Sequence, residues 1–244
     1  LFFLPALTAA GREPASAPPQ PDASSEAVIF GRVTDFEGRP YAGADVELKT
    51  VKFENAAAVR SGPDGSYSLT VKEGMYIALA AVKEYRTKHL EYWAWNVPAY
   101  GRVRIDPRFD RIEVYALNAF RPQGGYPSYI VYFRPMSLTK TMAAVVKAGG
   151  MEGLAKLPLI DIAPELEPRD IQVTIDGERV DILELNKVKE AGRPGQDLFG
   201  CLIQVPLPKS PAAGDWVVLD LTLTDRTTGE KGEGRLYIRR PLWR

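Results

Sequence analysis

Residues 61–79 read SGPDGSYSLTVKEGMYIAL, and the alternation inside them decides the fold. Tyr67, Leu69 and Val71 fall on one side of an extended segment, with Ser66, Ser68 and Thr70 on the other. A period of two belongs to a half-buried strand. Pro63 presets one dihedral of the turn before it, and Gly65 takes the positive φ that an Asp-Gly turn wants. After the break at Lys72–Gly74, Met75–Val82 is apolar on both sides, the pattern of a central strand. Two strands punctuated by glycine predict a hairpin, not a catalytic loop, since nothing here pairs a nucleophile with a base.

The same grammar extends in both directions. Upstream, Val28, Phe30 and Arg32 alternate with Ile29, Gly31 and Val33; DFEGRP (35–40) then turns, and Ala44, Val46 and Leu48 face inward. Downstream, Ile171, Val173 and Ile175 share a face before the Asp176-Gly177 turn, a strong hairpin signal. Val217, Leu219, Leu221 and Leu223 point inward before a turn over 226–234 and a return strand carrying Leu236 and Ile238. Leu138–Lys147 reads as a helix. Both faces of GGYPSYIVYF (124–133) are apolar, which predicts a buried strand.

The stretches GRVTDFEGRPYAGADVEL and GPDGSYSLTVKEGMYIALAAVKEY resemble the carboxypeptidase regulatory-like domain, a transthyretin-like (prealbumin-like) β-sandwich. The matching residues are Gly31, Val33, Asp35, Gly38, Pro40, Gly43, Ala44, Val46, Asp64, Gly65, Tyr67, Leu69, Val71, Gly74 and Tyr76. In this reading each matched glycine sits at a turn and each matched apolar residue on a core face. The resemblance implies a small accessory module of secreted or surface proteins, set beside a catalytic, transport or adhesive domain. The transthyretin-like hydrolases of purine breakdown share the fold but need several histidines and a C-terminal Tyr-Arg-Gly-Ser, whereas this chain has His89 alone and ends RRPLWR. Isopeptide-bonded pilin repeats need a first-strand lysine, which AVIFGRV lacks.

The expected architecture is therefore mostly β: a carboxypeptidase regulatory-like sandwich over 27–110 and an immunoglobulin-like sandwich over 111–244, with a helical insertion near 138–155. Residues 1–10, LFFLPALTAA, read as the remnant of a signal peptide, and 11–26 as a Pro/Ala/Ser linker. Export to the periplasm, the cell surface or the medium follows from that reading.

Composition removes several function classes. Thirty-one basic residues balance thirty-one acidic ones, so no net field draws nucleic acid, and no segment is long and apolar enough for a stable membrane span in the mature chain. A single histidine excludes a multi-histidine zinc site, and no calcium loop, G-x-S-x-G elbow or phosphate loop is present; no cofactor and no metal are expected. Cys201, in LFGCLIQV, reads as a small buried hydrophobe.

One segment stands out as a binding surface: EYRTKHLEYWAWNVPAY, residues 84–100. Trp93 and Trp95 share one strand face and Tyr92 the other; with Tyr85 they form candidate anchors, rimmed by Arg86 and Lys88. Buried, the same rings are core. The predicted function is a non-enzymatic binding or assembly protein of the bacterial cell envelope with a protein partner. A carbohydrate-binding accessory module is the alternative, and a hydrolase using unassigned acidic residues the third.

Overall fold

The computed structural model describes residues 25–210 and 212–240; the expected signal remnant and nearly all of the linker lie outside them. The N-terminal half supplies β1 (Glu26–Arg32), β2 (Asp45–Lys49), β3 (Asn55–Arg60), β4 (Ser66–Lys72), β5 (Gly74–Val82), β6 (Tyr92–Ala99) and β7 (Arg102–Arg104). The C-terminal half supplies β8 (Ile112–Phe120), β9 (Ser128–Ser137), helices α1 (Leu138–Lys147) and α2 (Met151–Ala155), and β10 (Leu159–Ile160). β11 (Ile171–Ile175), β12 (Glu178–Val180), β13 (Glu184–Arg193), β14 (Gln196–Pro206), β15 (Trp216–Thr224) and β16 (Lys231–Arg239) follow.

The protein is mostly β, built as stacked sheets, but the two sandwiches are not separate. Eight strands in the order β12-β11-β15-β16-β6-β5-β2-β3 form one sheet that runs through both halves. The join is a short parallel pairing in which Gly234, Arg235 and Leu236 of β16 lie beside Trp93, Ala94 and Trp95 of β6. A three-stranded sheet, β4-β1-β7, covers one face of the N-terminal half. A second small sheet, β10-β14-β9-β8 with β13 added to β14, covers the opposite face of the C-terminal half. Side-chain alternation makes this arrangement possible: Leu79, Ala81, Tyr92 and Ala94 enter the first core, while Ala78, Ala80, Trp93 and Trp95 enter the second. β6 lies where the two layers overlap, so both its faces are buried.

The resemblance residues behave as a sandwich requires. Val33, Ala44, Val46, Tyr67, Leu69 and Val71 are buried, and Asp35 caps its turn by accepting from the backbone N–H groups of Glu37 (2.9 Å) and Arg39 (2.8 Å). Two glycine readings need correction. Gly31 lies within β1, not at a turn: a Cβ there would sit 1.7 Å from the carbonyl oxygen of Ile105, so its absence lets the chain after β7 dock. Gly232, expected in the final turn, lies within β16, where a Cβ would meet the Ile112 carbonyl oxygen at 2.2 Å. Here glycine marks close approach of another backbone.

Gly31→Ala should therefore destabilise the fold by about 1–3 kcal/mol, the usual cost of overpacking. Urea unfolding of the variant checks this, and an unchanged midpoint would mean that the chain following β7 does not rest on β1.

Candidate functional site

The YWAW strand distributes its rings over two cores. Trp93 and Trp95 are 6% and 7% exposed, and Tyr92 is 1% exposed. The indoles form a near-parallel pair, centroids 5.2 Å apart at 19°, and Tyr115 meets both edge-on at 5.3 and 5.2 Å while Phe53 tilts over them from outside. Their partners on β5 are Ala80 and Ala78, whose small side chains leave room for the large rings. A flat aromatic pair is present as the spacing predicted, but it is covered and offers no open platform.

Beneath it, Trp93 Nε1 donates to Glu113 Oε1 at 3.0 Å. Glu113 is buried and its second oxygen has no partner among the described residues. Burial, reinforced by the charge of Glu91, pushes its carboxyl up to about 8, against the pull of the indole N–H.

The remaining residues of the predicted surface stay outside. Tyr85 is 37% exposed with the Arg86 guanidinium 4.9 Å from its ring centre, and Lys88 pairs with Glu84 at 2.9 Å. His89 ties this loop down: Nε2 lies 3.1 Å from the Tyr41 hydroxyl and Nδ1 2.7 Å from the Lys83 carbonyl, while Tyr41 stacks on Phe109. The six predicted residues are thus split between two cores and a loop. Cys201 is buried, and burial pushes its thiol up to about 11 even with Lys187 opposite on β13.

Tyr92 leads to a different site. Its hydroxyl is buried without a partner among the described residues, in the company of Arg235, Glu233 and Asp220. Those three belong to the polar face that β11, β15 and β16 turn away from the five-stranded sheet. With Ile171, Val173, Leu219, Leu221 and Leu236 in the core, the alternate residues form two cross-strand rows. Thr174, Asp220 and Arg235 make one; Gln172, Thr222 and Glu233 make the other.

The three-stranded sheet does not extend over these rows. Instead Arg32, Thr34, Arg104, Asp106 and Arg108, from the end of β1 and the chain around β7, stand beside them and close a cleft of about 360 Å³. Arg235 grips Asp220 with two bonds (2.6 and 3.0 Å). Arg108 Nε donates to Glu233 at 2.9 Å, and Arg104 Nε to Asp106 at 2.8 Å. Among the described residues the side chains of Thr34, Gln172 and Thr174 make no hydrogen bond, so their polar atoms are free toward the cleft.

Alternation in the sequence already placed these polar residues on the outer faces of their strands. Which outer face would be walled into a cleft depends on a sheet contributed by the other half of the chain.

No protein-family model matches the chain, and no curated protein matches it. Among solved structures, the chain is similar to a DUF3823 family protein from Bacteroides ovatus (10% identity, 86% of this chain and 98% of that one, TM-score 0.30). It is also similar to a candidate carbohydrate-binding protein from Bacteroides uniformis (10%, 88% and 99%, TM-score 0.30) and to BcpA, the major pilin subunit of Bacillus cereus (11%, 88% and 69%, TM-score 0.29). At these identities and TM-scores the likenesses carry no weight for what this chain binds. No helix among the described residues is long and apolar enough to cross a membrane, and no group of three or more His, Cys, Asp or Glu among them is placed to hold a metal ion.

Proposed function

We propose that this chain is an exported, non-enzymatic binding protein of the cell envelope that holds a saccharide in the cleft between its two halves. The observation that carries the reading is the pair of polar rows on β11, β15 and β16, whose free Gln172 and Thr174 side chains face a cleft walled by the other half. Amide and hydroxyl groups fixed on strands are suited to pair with the hydroxyls of a sugar, and clefts at domain junctions are common ligand sites. The state of the carboxylates supports binding over hydrolysis. Asp106, Asp220 and Glu233 are each paired with an arginine, so the carboxylates of the cleft are engaged in ion pairs, with Glu233 raised above its ordinary range by burial.

Calorimetric titration with a panel of oligosaccharides tests this. Replacing both Gln172 and Thr174 with alanine removes two hydrogen-bonding groups from outward-facing positions, so stability should change by less than about 1 kcal/mol. Affinity should fall roughly tenfold or more. A folded double variant that binds as well as the wild type would remove the cleft from consideration.

A protein partner is the second reading, favoured by a specific surface. Met142 and Val146, one turn apart on α1, and Met151 on α2 are each exposed on the helical insertion, Val146 to 79%. Tyr85, Arg86 and Lys88 belong with this reading as the accessible part of the aromatic loop. Val146→Glu should abolish capture of such a partner while leaving saccharide binding intact.

A further inference from the structure

The two walls of the cleft differ in charge. The side from β1 and the chain around β7 carries Arg32, Arg104 and Arg108 with Asp106; the floor of β11, β15 and β16 carries Asp220 and Glu233 with Arg235, beside Thr174, Gln172 and Thr222. Counting the whole lining, four arginines face three carboxylates. Arg104, Arg108 and Arg235 each hold one of these. Arg32 holds none: among the described residues the one hydrogen bond of its side chain goes to the main-chain carbonyl of Asp64. Its guanidinium, whose charge also helps to lower the Asp64 carboxyl, is therefore the one arginine of the lining that no lining carboxylate grips.

We propose that the ligand is an acidic saccharide, with its carboxylate received by Arg32 and its hydroxyls by Gln172 and Thr174. This rests on the reading of the cleft as a saccharide site and adds the class of sugar. A guanidinium fork matches the two oxygens of a carboxylate, and a charge-assisted bidentate contact is about twice as strong as a neutral one. The asymmetry of the two sides would also fix orientation, because a sugar turned end for end would set its carboxylate toward the floor that carries Asp220 and Glu233 and leave Arg32 unanswered.

The test compares galacturonic-acid oligosaccharides with the same oligosaccharides after carboxyl reduction, titrated calorimetrically against wild type, Arg32→Gln and Arg32→Lys in 50 and 300 mM sodium chloride. Arg32 is exposed, and thermal unfolding confirms that the variants fold. The wild type should prefer the acidic form by tenfold or more, with the preference narrowed by salt. Arg32→Gln should erase the preference without weakening binding of the reduced form, and Arg32→Lys should keep part of it. Equal binding of both forms by the wild type, or a preference that survives in Arg32→Gln, overturns the inference and leaves the saccharide reading standing. Failure of both forms to bind overturns the saccharide reading itself.

Discussion

Trp93→Ala should lose about 3–5 kcal/mol of folding stability, and Trp95→Ala less, with the protein that remains folded keeping its ligand affinity. Both indoles are buried, stacked on one another and clasped by Tyr115, so truncation removes a large apolar area and opens a cavity that the small Ala78 and Ala80 cannot fill. The two rings differ in their polar atoms. Trp93 donates to Glu113, and without it a buried carboxyl loses its one side-chain donor; Trp95 Nε1 has no partner to lose. Leaving a buried polar group unsatisfied adds roughly 1–3 kcal/mol, which sets the order of the two variants. Urea unfolding gives the stabilities and calorimetry the affinities. A double variant that keeps wild-type stability but no longer binds would return the indoles to the surface as anchors.

The second large effect is on pH. The Glu113 carboxyl titrates near 8 in the folded protein and near its ordinary value of 4.5 when the chain unfolds. Between those values the folded state holds a proton that the unfolded state has released. The stability from this group is thus fully present below about 4.5, is lost as pH rises toward 8, and changes no further above it. The slope cannot exceed about 1.4 kcal/mol per pH unit for one proton. Glu233 is also raised by burial and acts in the same direction, so the wild-type profile alone does not isolate Glu113. Glu113→Gln does, because its amide can still accept from Trp93 and has no charge to desolvate. The stability difference between variant and wild type should grow in favour of the variant from pH 5 to pH 8; parallel curves would show that Glu113 is ionised in the folded state.

Much of the architecture was legible before any coordinates. The hairpin at 61–79 became β4 and β5, with β5 central between β2 and β6. The helix came at Leu138–Lys147, and Asp176-Gly177 joined β11 to β12. These features are local: a period of two, a turn residue and a helical run each draw on neighbours within a few positions. The glycines at 31 and 232 were misread for the same reason. Within its own strand a glycine reads as a break, and its use here, admitting the carbonyls of Ile105 and Ile112, involves backbone from elsewhere. The aromatic segment shows the limit most plainly. Alternation placed Trp93 and Trp95 together and Tyr92 opposite, but it could not say that a layer covers each side.

By itself the sequence determined the strands, their inward and outward faces and the turns between them, because hydrophobic alternation and backbone preference act along the chain. Tertiary structure alone decided that β6 pairs in parallel with β16, and that the two small sheets lie on opposite sides of the shared one. It thereby decided that the outer face of β11, β15 and β16 becomes the floor of a cleft. Those outcomes depend on which distant surfaces bury each other best, a property of pairs of segments up to two hundred residues apart that no single segment carries.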